Sequence, residues 1–350
     1  MGLVRLLLSL LVVGSHFGGL GEPAGGTAVA SFFAISGFLM ARTIRENYEG
    51  ARGALRFYAN RCLRILPPFV IVLAATALLL WARESRPYLV NPASGEHMMP
   101  DTNFPSRWLD LARFYPKEYP IVWAAQVYLA PQAWSLVVEG VFYLCAPLLV
   151  LLARRPWRPL LWLMTGATLV MALTSATSPL GNMWLRSPVA SAWVFILGVL
   201  AYVHAPKAEA PRTPSGARQG VVALPMLGVA ALGLHWAPVE RAALFLSPVL
   251  VVAWLWLGGW ATRRGSRLDR LLGNLAYGVF IGHFLSALLK LTVAEWAYEA
   301  TGVFGLFGVP GQTERWWRYS FYVAALAGAA AIYYGIERPF ERLRARLRAA

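Results

Sequence analysis

Long apolar stretches alternate with short basic or Pro/Gly-rich segments along the whole chain. A helix that crosses a bilayer core about 30 Å thick needs about 20 mostly apolar residues. About ten stretches approach this length, and they lie at 3–19, 27–41, 65–82, 134–153, 159–175, 189–204, 220–235, 242–260, 273–296 and 319–336. The pattern therefore predicts an all-α fold, a polytopic transmembrane helical bundle that forms a single domain over residues 1–350.

Basic residues predict how this bundle is oriented. Arg and Lys are concentrated in alternate connections, including 42–64 and the C-terminal segment 338–350. Short connections rich in basic residues stay in the cytoplasm, so both termini are predicted to be cytoplasmic. On this topology, 83–133 is an extracytoplasmic loop, and 338–350 is a basic amphipathic cytoplasmic tail that lies on the inner leaflet.

Composition supports the membrane assignment and narrows the choice of partners. Hydrophobic residues make up 58% of the chain and charged residues 14%, which leaves too little polar surface for a soluble domain. The formal net charge of +15 follows from cytoplasmic loops that attract anionic lipid head groups. We therefore predict the lipid bilayer, and no nucleic acid, as a partner.

Two ionisable residues lie within the first predicted span. Arg5 and His16 are separated by three helical turns, about 16 Å, and fall on nearly the same face. Ionisable groups inside a span usually face a polar cavity, and His is the usual general base near neutral pH. A snorkelling Arg with an interfacial His explains the same spacing, and the spacing alone leaves both interpretations open.

The second span and the connection after it carry small residues and then arginines. Ser36 and Gly37 follow two phenylalanines, a pattern that favours close helix packing. Arg61 and Arg64 are three residues apart, so a helical turn presents both guanidinium groups to one place, a geometry suited to phosphate. Topology offers an alternative explanation, because any cytoplasmic connection gathers arginines.

Polar residues recur every four positions at the start of the fourth span, at Ser135, Glu139 and Tyr143. A buried glutamate needs a partner, and this span enters from the same outer side on which His16 lies. We therefore predict a hydrogen bond between Glu139 and His16; pairing of Glu139 with an arginine is the alternative. His283 lies near the middle of the ninth span, where a structural hydrogen bond and contact with a substrate are both possible roles.

Taken in order, these motifs resemble the acyltransferase-3 family of membrane acyltransferases, which acylate sugars of surface polysaccharides, peptidoglycan and some secondary metabolites. The resemblance covers nearly the whole chain. Its motifs are Arg-x10-His at Arg5 and His16, Phe-Phe-x-x-Ser-Gly-Phe at 32–38, Arg-x-x-Arg at Arg61 and Arg64, Trp-Ser-Leu-x-x-Glu at 134–139, and the Gly-x-x-x-Tyr and His pattern at 273–283.

The resemblance implies transfer of an acyl group, most commonly acetyl, from cytoplasmic acyl-CoA to a sugar hydroxyl of a cell-surface polysaccharide, lipid-linked glycan or related glycoconjugate. It implies a multi-pass protein of the bacterial inner membrane, a carbohydrate acceptor, no metal, and contact with polysaccharide-assembly proteins. We expect His16 to act as general base, oriented by Glu139. The expected substrate-binding residues are Arg5, Ser36, Ser135, Tyr143 and His283. The expected ligands of the CoA phosphates are Arg61, Arg64, Arg42 and Arg45.

A transporter of a lipid-linked glycan or small solute is the alternative function. Spans with Arg, His and Glu inside them are typical of transporters as well. Inverted halves with matching broken helices, which many transporters show, are not visible in the sequence. A transferase needs His16 and an acyl donor, whereas a transporter needs a gradient.

Overall fold

The computed structural model describes residues 1–48, 50–82, 130, 132–176, 185–205, 237–257, 266–301 and 314–349. Within these residues the chain is helical, as predicted. The helices are α1 (Gly2–Phe17), α2 (Glu22–Asn47), α3 (Gly50–Ala82), α4 (Ala133–Leu152), α5 (Arg158–Ala176), α6 (Pro188–His204), α7 (Ala237–Leu257), α8 (Arg267–Thr301), α9 (Glu314–Ile332) and α10 (Arg338–Ala349), with a π-helical segment, Tyr333–Glu337, between the last two.

Apolar helices dominate the described structure. Five segments are long and apolar enough to cross a membrane, namely Ala24–Asn47, Gly50–Leu79, Ala133–Leu152, Arg267–Val293 and Arg318–Ala345. Shorter apolar helices cover Gly2–Phe17, Arg158–Thr174, Pro188–His204 and Ala242–Trp256. Every predicted span overlaps one of these segments except 220–235, which lies outside the described residues. The helices indicate an integral membrane protein, while the number of spans and the orientation stay predictions.

Helices α2 and α3 extend well beyond their predicted spans. Arginines follow the apolar stretch 27–41 and precede the stretch 65–82, yet α2 runs for 26 residues and α3 for 33. Arginine is a good helix former, so the basic segments continue as helix rather than as loop. As a result, Arg42, Arg61 and Arg64 lie on helices and keep a fixed register relative to the apolar spans.

Small residues bring α2 and α6 into close contact. A Cβ atom added at Gly37 would lie 2.0 Å from the carbonyl oxygen of Phe195, and one added at Gly198 would lie 2.1 Å from that of Ala34. No side chain fits at these distances, so the two backbones touch. The packing interpretation of the small residues in the second span is confirmed for Gly37.

We expect Gly37→Ala to destabilise the protein, because the added methyl group would collide with the backbone of α6. Overpacking of this kind costs about 1–3 kcal/mol. Gly166→Ala is the matched control, since a Cβ there meets nothing within 4 Å and alanine favours helix. Thermal unfolding in detergent should show a lower Tm for Gly37→Ala only; equal Tm values would contradict the close contact.

Helices α1 and α8 lie side by side and run in the same direction. The backbone N–H of Gly2 donates to a carboxylate oxygen of Asp269 (2.7 Å), and the Ser9 hydroxyl donates to the carbonyl oxygen of Ala276 (2.7 Å). These two bonds fix the register between the helices. They bring the start of α1 to the start of α8 and place equivalent positions of both helices at the same depth.

Helix α10 packs beside α3 and α8. The Asn274 side chain donates to Glu341 (3.2 Å), and Arg344 Nε donates to the side-chain oxygen of Asn60 (3.3 Å). The C-terminal segment was predicted to lie on the membrane surface. The structure docks one side of it against the bundle through these polar contacts with α3 and α8, while its position relative to the membrane stays a prediction.

Candidate active site

A cavity of about 720 Å³ is lined by residues from α1, α2, α3, α4, α8 and α10. Arginines outnumber carboxylates in its lining, so the cavity is strongly positive and suited to an anionic ligand. The arginines are Arg5, Arg42, Arg61, Arg64, Arg270, Arg338 and Arg344. The carboxylates are Glu139, Asp269 and Glu341.

Arg61 is held as a buried cation at this cavity. Its guanidinium carbon lies 5.4 Å from the centroid of the Phe57 ring and 5.6 Å from that of Tyr143, distances typical of cation–π contacts. Its Nε atom is buried and has no hydrogen-bond partner among the described residues. A buried donor without an acceptor is costly, and the protein carries this cost beside the cavity.

Glu139 accepts hydrogen bonds from the hydroxyls of Ser36 and Tyr143. The predicted hydrogen bond to His16 is therefore wrong in this structure. The error is one of depth, because we expected the fourth span to begin at the outer membrane surface. Instead, the Gln132 side chain donates to the carbonyl oxygen of Ile281 (2.8 Å), near the middle of α8. Glu139 consequently lies beside the arginine-lined cavity.

A small chamber opens from the inner end of the cavity. Its volume is about 50 Å³. Arg5, Ser36, Glu139 and Tyr277 line both spaces. The other lining residues are Val29, Phe32, Phe33, Ser135, Leu136, Ala276 and Phe280. The chamber therefore has a polar neck and mostly apolar walls.

Ser135 combines a wall position with a local structural role. Its hydroxyl donates to the carbonyl oxygen of Gln132 (2.9 Å) within the first turn of α4. The serine thus stabilises the turn that begins α4 and faces the chamber together with Ser36. The polar stripe predicted on this helix is present, and it lines the neck and the chamber.

His16 and His283 stack on each other. Their ring centroids are 5.5 Å apart and their planes differ by 16°. His283 is 1% exposed, and its Nδ1 lies 2.8 Å from the carbonyl oxygen of Phe280 and 3.2 Å from that of Val279. Because both neighbours are acceptors, Nδ1 carries the proton in the neutral ring and Nε2 carries the lone pair. Nε2 is buried and has no partner among the described residues.

The histidine pair was not predicted, although the sequence contains a signal for it. Equal numbers of residues separate Gly2 from His16 and Asp269 from His283. With Gly2 bonded to Asp269, the two histidines must lie at one depth. This signal becomes readable only when α1 and α8 are known to be parallel neighbours, which is a tertiary fact.

The residues predicted to bind the phosphates of the acyl donor fall into two groups in the structure. Arg42, Arg61 and Arg64 line the cavity, whereas Arg45 is exposed and lies outside its lining. Sequence reasoning missed a further set of lining residues from α8 and α10. These are Arg270, Asn274, Tyr277, Arg338 and Arg344. Basic character in the C-terminal segment favoured a membrane surface, so only the docking of α10 reveals that it contributes to the site.

Comparison with known proteins shows that the chain is similar to acyltransferases. The sequence profile of the acyltransferase-3 family, described as an acyltransferase domain, matches residues 1–334. Acyltransferase MdmB of Streptomyces mycarofaciens is 25% identical over 354 aligned positions, covering 93% of this chain and 83% of that protein. An uncharacterized Haemophilus influenzae protein is 28% identical over 156 positions, which cover 42% of this chain and 58% of that protein. No solved structure matches the chain.

Proposed function

Because the chain belongs to the acyltransferase-3 family and is an acyltransferase, we propose that it moves an acyl group, acetyl in the simplest case, from acyl-CoA to a sugar hydroxyl. The acceptor is a cell-surface polysaccharide, a lipid-linked glycan or a related glycoconjugate, and the site of action is the bacterial inner membrane. The observation that carries the proposal is the arginine-lined cavity with an inner chamber that leads toward the histidine pair.

The cavity has the chemistry that the CoA phosphates require. Guanidinium groups bind phosphate through paired, charge-assisted hydrogen bonds. Arg61 and Arg64, on adjacent turns of α3, both face the cavity, and the Nε donor of Arg61 is buried without a partner in the described structure. Arg42 and Arg344 add positive charge from α2 and α10.

The distance between the cavity and His16 matches the distance between the phosphates and the thioester of acyl-CoA. Arg5 lines the cavity, and His16 lies three turns further along α1, about 16 Å away. The pantetheine arm of CoA spans a comparable length. With its phosphates on the arginines, the donor extends through the neck and brings its thioester toward the histidines.

In the proposed reaction, a nitrogen of His16 takes the proton of the acceptor hydroxyl. The hydroxyl oxygen then attacks the thioester carbonyl carbon, a C–O bond forms, and the C–S bond breaks. The CoA sulfur leaves as thiolate and receives a proton, which His16 can return. The products are the acyl ester and CoA thiol. His283 stacks on His16 and limits how its ring can turn.

The proposal is tested with purified protein in detergent and radiolabelled acetyl-CoA, with and without surface glycan extracted from the host. The expected result is release of CoA thiol together with label in the glycan, both of which depend on the protein. Release of thiol without label in any carbohydrate would overturn the acceptor assignment. Absence of both thiol release and CoA binding by folded protein would overturn the donor assignment.

We expect Arg344→Ala to raise the KM for acyl-CoA about tenfold, since a lost charge-assisted hydrogen bond to phosphate is worth roughly 1.5–3 kcal/mol. The value of kcat should change little, because Arg344 lies at the cavity and away from the histidines. Arg45→Ala is the matched control, as Arg45 is exposed and outside the lining. Equal KM values for the two variants would show that α10 does not contact the donor.

A further inference from the structure

We propose that the small chamber beyond the arginine-lined cavity holds the acyl group of the donor and restricts the enzyme to short acyl chains. The inference rests on the proposed function, because it takes the cavity as the binding site for CoA. It adds the class of acyl group that the enzyme accepts and the residues that set this limit.

The first argument is that cavity and chamber are continuous. They share lining residues from four helices, at Arg5, Ser36, Glu139 and Tyr277. A ligand anchored by its phosphates in the cavity therefore meets the chamber at its other end. The charges of Arg5 and Glu139 oppose each other at the neck, and the mostly apolar walls beyond it favour the acyl end of the donor over its phosphates.

The second argument is the chemistry of the walls. Beyond the neck, the lining is apolar apart from Ser135 and comes from α2, α4 and α8. Phe32 and Phe280 meet edge to face across the chamber, with ring centroids 5.8 Å apart. Such walls bind a hydrocarbon chain and give no stabilisation to a charged group.

The third argument is position. Phe280 forms part of the chamber wall, and its carbonyl oxygen lies 2.8 Å from Nδ1 of His283. Its ring centroid is 6.3 Å from that of His283. The chamber wall therefore reaches to within one helical turn of His283 and places a bound acyl group near the histidine pair.

The last argument is size. The chamber has a volume of about 50 Å³, and each water-sized group needs roughly 10–15 Å³ of such space. It therefore holds only a few non-hydrogen atoms. An acetyl or propionyl group fits, whereas a hexanoyl chain would have to displace the tightly packed phenylalanines, and cores resist such overpacking.

The test compares acetyl-, propionyl-, hexanoyl- and octanoyl-CoA with the purified full-length chain, following release of CoA thiol. We expect kcat/KM for hexanoyl-CoA to be at least about tenfold below that for acetyl-CoA, the scale on which small pockets discriminate between chains. Equal values for acetyl- and octanoyl-CoA would overturn the chamber's role and leave the proposed function intact. If none of the four acyl-CoA donors released CoA thiol, the proposed function itself would be overturned.

Widened variants test whether the chamber causes the preference. Leu136→Ala should raise the ratio of hexanoyl to acetyl kcat/KM at least about fivefold. Leu144→Ala is the matched control, because Leu144 lies on the same helix, is 67% exposed and is outside the lining. Val29→Ala widens the opposite wall and replaces Leu136→Ala if that variant fails to fold. Ratios unchanged in every folded widened variant would overturn the proposal.

Discussion

Replacing His16 with alanine is expected to lower kcat at least about 10³-fold, within the range by which a positioned general base accelerates a reaction. Affinity for CoA should stay within about twofold of wild type, because His16 lies three turns, roughly 16 Å, beyond Arg5 on α1 and does not line the arginine-rich cavity. The loss therefore falls on the chemical step. Single-turnover measurements with acetyl-CoA, alongside equilibrium binding of CoA, separate the two quantities.

His204→Ala is the control for this experiment. His204 is exposed, lies at the end of α6, and its Nδ1 is bonded within its own helix to the carbonyl oxygen of Leu200 (2.9 Å). Its replacement should leave kcat unchanged. If His16→Ala retained more than about a tenth of the wild-type kcat, or lost CoA binding instead, the assignment of His16 as general base would be wrong.

The fold class follows from the sequence because the apolar stretches are long and regularly interrupted. A spanning segment must satisfy its own backbone hydrogen bonds, which leaves the helix as the local solution. Gly37 was also predictable as a packing residue, since small residues between bulky ones mark close helix contacts. Hydropathy does not reveal where a polar helix end stops, so α2 and α3 extend beyond their predicted bounds.

Several members of the candidate site were predictable from the sequence, but their pairings were not. Glu139, Ser36 and Tyr143 were each identified, but the partner of Glu139 depends on the depth at which α4 begins. That depth is set by the bond from Gln132 to Ile281, a contact between residues far apart in sequence. Hydropathy gives the order of spans and not their relative heights.

Hydropathy also does not show which basic residues face the cavity, and for this reason the environments of Arg45 and Arg344 differ from the prediction. Arg45 lies three residues beyond Arg42, near the end of α2 and past Thr43, the last residue of this helix that lines the cavity. Arg344 is a basic residue in a basic segment, and nothing local marks it as part of the site. Its hydrogen bond to Asn60 on α3 helps to hold it there.

Glu139→Ala is the second replacement with a large expected effect. The change removes the acceptor for the buried hydroxyls of Ser36 and Tyr143 and leaves the positive charge of Arg5 at the neck uncompensated. Each unsatisfied buried donor costs about 1–3 kcal/mol. We expect kcat/KM for acyl-CoA to fall about 10²-fold, equivalent to roughly 2.7 kcal/mol of transition-state stabilisation.

A comparison with Glu139→Gln separates a role at the neck from a role in orienting His16. Glutamine keeps an acceptor for both hydroxyls and removes only the charge. If Glu139 acted on His16, the acid limb of the kcat–pH profile would move to lower pH in Glu139→Gln, because a carboxylate partner stabilises the protonated imidazole. In the structure Glu139 bonds Ser36 and Tyr143 instead, so we expect the limb to stay in place.

A double-mutant cycle on CoA binding tests independently whether Glu139 and His16 are coupled. Residues without shared partners act additively within about 0.3–0.5 kcal/mol. Glu139 and His16 have different partners in the structure, so Glu139→Ala should change the Kd of CoA by the same factor in wild type and in His16→Ala. A change confined to one background would mean that the two residues are coupled, and that Glu139 reaches His16 once the donor is bound.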